Sequence, residues 1–170
     1  MNIRLVKMSR KLMHEFYQRF TYDPACTPNT REMPVYEYDP DEVDIRYDRH
    51  MQQRKLHFAI KLDDQLIGDI YLKHIDTVKH SCEMGIHLVN DTYKGKGYGT
   101  QAERFILHYA FHQLHMDVVY ADTRMENERS RHALEKAGFT QTGRANEICR
   151  FECRKSSWNG VDLSDSFNIA

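Results

Sequence analysis

The segment Lys94-Gly95-Lys96-Gly97-Tyr98-Gly99-Thr100 constrains the fold more than any other stretch of this 170-residue chain. Ahead of it, His80–Val89 sets Cys82, Met84, Ile86 and Leu88 opposite Glu83, Gly85 and His87, the two-residue period of a strand. Behind it, Ala102, Phe105, Ile106, Tyr109, Ala110 and Gln113 recur at the spacing of an amphipathic helix laid on a sheet. Three glycines in five residues between a strand and a helix let the backbone approach a bulky anion without side chains in the way. The first helical turn contributes unpaired N–H groups and the positive end of the dipole, which favour phosphate. Lys94 and Lys96 add charge. A plain surface turn carrying two lysines is the alternative.

The remaining pattern predicts one α/β domain over residues 1–170. Ile3–Met8 reads as a strand, and Ser9 as the N-cap of a helix carrying Leu12, Met13, Phe16, Tyr17 and Phe20 on one side. Thr21–Asp39 is a loop with Pro24, Pro28 and Pro34, and Asp39-Pro40 opens a helix reaching about Arg54. His57–Lys61 and Leu66–Lys73 are strands joined by a turn at Asp63-Asp64-Gln65. Val118–Thr123 is a strand covered on both faces. A helix over Asn127–Ala137 ends at Gly138, a left-handed cap. Phe139–Arg144 starts a strand that could continue to Lys155, and a last strand is expected near Leu163–Ile169 after the Trp158-Asn159-Gly160 turn.

Composition removes several functions. A formal net charge of −1 offers no basic field for nucleic acid or an anionic membrane. Met1-Asn2-Ile3-Arg4 does not open a signal peptide, and no stretch approaches the roughly 20 apolar residues of a membrane span, so a cytoplasmic protein is expected. Cys26, Cys82, Cys149 and Cys153 lack metal-ligand spacing, and the ten histidines form no paired-ligand motif. Buried free thiols and no metal are expected. Asn90-Asp91-Thr92 reads as a polar turn.

Among phosphate-binding patterns, the Walker loop fails for want of a closing Gly-Lys-Ser/Thr. A dinucleotide fingerprint is formally met by Gly97, Gly99 and Ala102, with Asp122 about 20 residues on. The segment also resembles the cofactor loop of the GCN5-related N-acetyltransferase (GNAT) family, Q/R-x-x-G-x-G/A, with Lys94, Gly97 and Gly99 in its defined positions and Lys94 replacing the usual Gln or Arg. Asn127-Glu128-Arg129-Ser130 followed by Glu135-Lys136-Ala137-Gly138-Phe139 is similar to that family's Asn-x-x-Ser…Lys-x-Gly-Phe segment. Within the family the similarity is closest to the branch that acetylates ribosomal-protein N-termini, spermidine and related amines.

The resemblance implies a mixed, largely antiparallel sheet in which the strand ending at Val89 splays from Val118–Thr123, with pantetheine in the gap. It implies acetyl-CoA as co-substrate and direct transfer to a primary amine on a small molecule or peptide, with a homodimer possible. Main-chain groups of His87, Leu88 and Val89 then meet the pantetheine arm. Amides from Gly95 through Lys96, Gly97, Tyr98 and Gly99 to Thr100, with Lys94, hold the pyrophosphate. Asn127 caps its helix or bonds the pantetheine, and Lys136 meets the 3′-phosphate. Glu83 stands at the strand position of a catalytic glutamate and is the expected base, with a structural carboxylate as the alternative. His87 shares its face and could relay a proton. The tyrosine that many relatives carry five residues before the Gly-Phe phenylalanine is Leu134 here, so Ser130 is the candidate hydrogen-bond donor to the leaving thiolate.

Acceptor choice falls to the first two helices and their loop, where Asp23, Glu32, Glu37, Asp39, Asp41, Glu42 and Asp44 stand among Tyr22, Tyr36, Tyr38 and Tyr47. Acids beside aromatics suit a cationic amine, although a solvated acidic face would have the same composition. A silent acyl-CoA-binding module and a dinucleotide-dependent oxidoreductase are the rival functions.

Overall fold

In the computed structural model, which describes residues 3–22 and 35–160, alternating strand patterns assemble into one seven-stranded sheet. The elements are β1 (Ile3–Lys7), α1 (Arg10–Arg19), α2 (Pro40–Gln52), β2 (Leu56–Leu62), β3 (Gln65–Asp76) and β4 (Ser81–Leu88), followed by α3 (Tyr98–His112), β5 (Val118–Arg124), α4 (Glu128–Ala137), β6 (Thr140–Ala145) and β7 (Ile148–Arg154). Pro24, Pro28, Pro34, Cys26, Asp23, Glu32 and the strand expected near Leu163–Ile169 lie outside the described residues.

The sheet order is β1-β2-β3-β4-β5-β7-β6, antiparallel throughout except for β4 and β5, which run parallel. That pair holds register only from Ser81–Val118 to Met84–Ala121. Beyond it, among the described residues, β4 continues to Leu88 against β3 alone, while β5 continues to Arg124 against β7 alone. The sheet therefore splits at its centre, as expected.

Helices cover both faces. On one side α3 and α4 bury Phe105, Ile106, Phe58, Ile70, Met84 and Leu134 in the main core. On the other, α1 and α2 bury Met13, Phe16 and Val43 over Ala59, Leu66 and Val89. The α3 stripe is broader than its spacing predicts, because Glu103, Leu107 and Phe111 are buried as well. Residues at those angles meet more than the sheet: α4 lies alongside α3, and Trp158 stacks near Phe111.

Local chemistry fixes the ends. Ser9 Oγ accepts the Leu12 amide at 3.2 Å, a cap of the kind worth about 1 kcal/mol. Asp39 accepts the Asp41 and Glu42 amides ahead of Pro40. Gly138 ends α4 at φ 112°, where a Cβ would come within 2.8 Å of Trp158. The expectation of one strand from Phe139 to Lys155 is corrected: the segment is the β6–β7 hairpin, closed by Asn146 and Glu147 at φ 48° and 64°. Positive φ at both central residues is the two-residue turn that matches strand twist.

Candidate active site

The glycine loop and the split meet in a cleft of about 910 Å³, lined from Lys94, Gly95, Gly97, Gly99 and Thr100 past Ile86, His87 and Leu88 to Phe20–Tyr22. α4 supplies the opposite wall with Asn127, Ser130 and Lys136. Gly95 and Gly97 have φ of 72° and 85°, the left-handed region, and a Cβ built on either meets nothing within 4 Å. These glycines are needed for backbone shape and for what approaches from outside. Gly97 is the N-cap of α3 and offers no side chain, and the first intrahelical bond runs from Gln101 N–H to its carbonyl. The amides of Gly99 and Thr100 thus belong to the helix start, ahead of the first intrahelical bond.

Lys94 reaches into the cleft with Nζ 2.8 Å from Asp91. Lys96 and Tyr98 do not line it, and the Tyr98 ring packs against the main core. Asn127 is buried, caps α4 through Oδ1 to the Ser130 amide at 3.0 Å, and faces the cleft; its two expected roles share one position.

The strand edge is narrower than expected. Val89 donates its N–H to the Ile67 carbonyl at 3.0 Å and accepts from the Thr21 amide at 2.9 Å, so its main chain is spent. Alternation along β4 turns the groups of His87 the same way, toward β3, where its carbonyl lies over Gly68. Of the three main-chain positions expected to meet pantetheine, only Leu88 opens into the split. Ile86, not foreseen, is its partner on that edge.

Glu83 stands off the main cleft, in a cavity of about 190 Å³ with Tyr120, Ala121, Asp122 and Arg150, at the vertex of the split. Its carboxylate is held by Lys73 at 3.2 Å and His74 at 3.1 Å. Burial raises its pKa, but the hydrogen bonds from His74 and Lys73 outweigh this and set it below the ordinary glutamate value. Asp122 is bound by Arg150, both contacts at 3.1 Å. Although β4–α3–β5 is a parallel unit, β4 ends at Leu88 and α3 starts only at Tyr98, and Asp122 is salt-bridged, so the tight strand-to-helix turn and the ribose-binding acid of the dinucleotide fingerprint are not met.

Two carboxyl groups escaped the sequence reading. Glu103, on α3, lines the cleft at 1% exposure, and its Oε2 has no hydrogen-bond partner among the described residues. Burial alone pushes its pKa up to about 8, so it is a neutral acid at pH 7. Asp69 is buried in β3 between His57 and His87. Asp69 interrupts the apolar run from Leu66 to Leu72, which was the available signal; Glu103, between Ala102 and Arg104, offered none.

Much of the acidic charge on α2 is already matched. Asp44 takes Arg10 at 2.7 Å and His14 at 3.0 Å, and Glu42 takes Arg46 at 2.7 Å. Arg10 and Arg46 also cover Tyr47 and Tyr17. Phe20, Tyr22 and Tyr36 form an aromatic cluster, and Phe20 and Tyr22 reach the cleft mouth.

Known proteins share this arrangement. The acetyltransferase (GNAT) domain family matches residues 2–140. The putative ribosomal N-acetyltransferase YdaF of Bacillus subtilis is 34% identical over 151 residues, 83% of this chain and 78% of that protein. Spermidine N(1)-acetyltransferase of Escherichia coli K12 is 30% identical over 103 residues, 60% of this chain; the match spans 55% of the relative's length. The solved spermidine N-acetyltransferase of Vibrio cholerae in complex with CoA and spermine superposes with a TM-score of 0.71 at 21% identity, covering 92% of this chain and 97% of that one. The chain belongs to the GNAT acetyltransferase family.

Proposed function

We propose that the protein moves an acetyl group from acetyl-CoA to a primary amine by direct attack in a ternary complex. The observation that carries this reading is the uncapped start of α3, with its left-handed glycines, opening onto the split between β4 and β5. The loop supplies amides for a pyrophosphate, and the split supplies the free edge of Ile86 and Leu88 for the amide-bearing pantetheine arm. Lys94 and Lys136 take anionic ends of the cofactor, and Ser130 donates to the departing sulfur. Cys82 and Cys153 are buried with pKa values pushed up to about 12, so neither is a ready thiolate for an acyl-enzyme route.

The amine enters past the aromatic mouth at Phe20 and Tyr22, which suits a cationic aliphatic substrate such as a polyamine or a peptide N-terminus. Proton removal belongs to the outer face of β4, which carries both Glu83 and His87. Action in the cytoplasm, where acetyl-CoA is met, and self-assembly, at least as a homodimer, complete the reading.

Titration with acetyl-CoA and NAD(H), then free-thiol release with a panel of polyamines, peptides and aminoglycosides, tests it. Acetyl-CoA alone should bind, and thiol release should require an amine. Tight acetyl-CoA binding without turnover on any amine would replace the enzyme by a silent binding module.

A further inference from the structure

Under the mouth of the split, His50, His57, Asp69 and His87 form one hydrogen-bonded row. Strand register explains their meeting. Ala59, Asp69 and His87 are successive neighbours across β2, β3 and β4, and His57, Tyr71 and Gly85 make the adjacent row. Gly85 is obligatory there, because a Cβ would lie 2.3 Å from the Tyr71 ring. Asp69 and His57 are 5% and 9% exposed, whereas the His87 side chain is 48% exposed and lines the cleft.

We propose that His87 accepts the proton of the attacking amine and that Asp69, braced by His57, positions it for that task. The assignment rests on the acetyl transfer argued above and deepens it.

The polarity of the row is fixed by the carboxylate, which can only accept when ionised. Burial raises the Asp69 pKa, but hydrogen bonds from His57 and His87 outweigh this and hold it far below the ordinary aspartate value. His57 therefore donates through Nε2 at 2.6 Å and His87 through Nδ1 at 3.2 Å. That tautomer of His87 leaves its Nε2 lone pair free. His57 Nδ1 becomes an acceptor and takes the Nδ1–H of His50 at 3.2 Å. Desolvation, then the charge of Lys55, push His50 down to about 4, which keeps it neutral.

The groups around His87 agree. Desolvation lowers its pKa, the hydrogen bond and charge of Asp69 raise it, and Arg46 and Lys55 pull it down again, for a net rise. Tyr71, whose ring centroid is 6.1 Å from that of His87, is pushed up to about 12 by burial and stays neutral. Lys55 lies over the Tyr71 ring at 5.0 Å. Tyr17 of α1 is also pushed up to about 12 and neutral, with Arg46 over its ring. Glu83, the other carboxylate on this face of β4, is tied to Lys73 and His74. A half-exposed imidazole backed by a sealed carboxylate is the arrangement of a base with its orienting group.

In the step, an ammonium R–NH3+ gives one proton to His87 Nε2. The freed lone pair attacks the thioester carbonyl carbon, forming C–N as the π pair moves to oxygen. Collapse re-forms the carbonyl and breaks C–S. A second N–H proton goes to the thiolate, and His87 returns its proton to solvent. The sum is ammonium plus acetyl-CoA giving an N-alkylacetamide, CoA thiol and one proton.

The test compares pH–rate profiles of the full chain with those of His87→Asn, Asp69→Asn and Glu83→Gln. His87→Asn should lower kcat by roughly 10²–10³-fold and erase the acidic limb. Asp69→Asn should move that limb about one unit toward acid, with acetyl-CoA affinity unchanged. Glu83→Gln should leave the position of that limb to His87, and a limb erased by Glu83→Gln instead overturns the assignment. Imidazole ¹⁵N NMR of the unmutated protein reads the clamp without turnover or a folding risk: His87 should carry its proton on Nδ1 and titrate above ordinary histidine. An Nε2–H tautomer in that spectrum, or an unmoved limb in an active His87→Asn enzyme, overturns the assignment. If no amine in the panel is acetylated, the transfer reaction itself falls, and the base role falls with it.

Discussion

The two sides of the split β4–β5 pair solve opposite electrostatic problems. The cofactor side presents backbone amides, three glycines and a carboxyl that stays protonated, Glu103. The acceptor side presents charges already matched: Asp69 with His57 and His87, Glu83 with Lys73 and His74, Asp122 with Arg150. A site for a polyanion is best served by fixed dipoles, which need no counter-charge when empty. A site that takes up and gives back protons is better served by paired groups whose proton affinity neighbours can set. The boundary runs along a single strand: Ile86 and Leu88 give their edge to one side, and His87 gives its ring to the other.

Three experiments would sharpen or break this contrast. The largest effect should come from Gly97→Val, which asks for φ 85° from a β-branched residue and puts a side chain where the anion must approach. Acetyl-CoA affinity should fall by at least about 100-fold, roughly 2.8 kcal/mol, with helicity by circular dichroism retained. Calorimetry giving the parent affinity in a folded variant would remove the amide loop from the cofactor side.

Glu103→Gln should act through pH. The folded chain keeps the Glu103 proton up to about pH 8, whereas the unfolded chain releases it near the ordinary glutamate value of 4.5. Native protein thus binds more protons than unfolded protein between those values. Stability falls as pH rises through that window, by about 1.4 kcal/mol per unit in the limit of a fully buried group. The Gln variant should lose this slope, and its acetyl-CoA affinity should hold above pH 8, where that of the parent drops about tenfold per unit. Parallel melting curves at pH 6 and pH 8.5 for parent and variant would contradict the neutral-acid assignment.

Ser130→Ala should have the smallest effect, about 10-fold in turnover, in line with the 0.5–1.5 kcal/mol of a neutral hydrogen bond. Folding should not change, because the cap it joins uses the Ser130 backbone amide. Parent-like turnover with a good acceptor would leave the thiolate to solvent.

Local signals in the sequence were reliable wherever one residue decides one geometry. Ser9, Asp39, Asn127 and Gly138 sit at the helix ends where their side chains or left-handed freedom placed them. The β6–β7 hairpin was missed because its turn is Asn146-Glu147, and Glu supplies positive φ without the glycine that usually announces it. The buried carboxyls were missed for another reason. Asp69 looks like a solvent-facing break in an apolar strand until β2 and β4 bring His57 and His87 to it from 12 and 18 residues away. Glu103 looks like an exposed helix position until α4 and the cleft close over it. The turn of the Val89 main chain toward β3 depends likewise on a bond to Ile67, which no spacing rule along β4 contains.

Because β4 and β5 hold register over only four positions, Ser81 to Met84, the sheet is two ribbons joined by a short seam, with α3 crossing between them. A cofactor lying in the opening would meet β4 on one side and α4, which packs on β6, on the other, and so would act as a removable rivet. Ligand that binds only the closed fold adds RT ln(1 + [L]/Kd), about 2.7 kcal/mol at 100 times Kd. If that ligand is acetyl-CoA, the lifetime of the protein in a cell would follow its supply: a starved cell would hold a looser, more protease-sensitive chain, and a fed cell a tighter one.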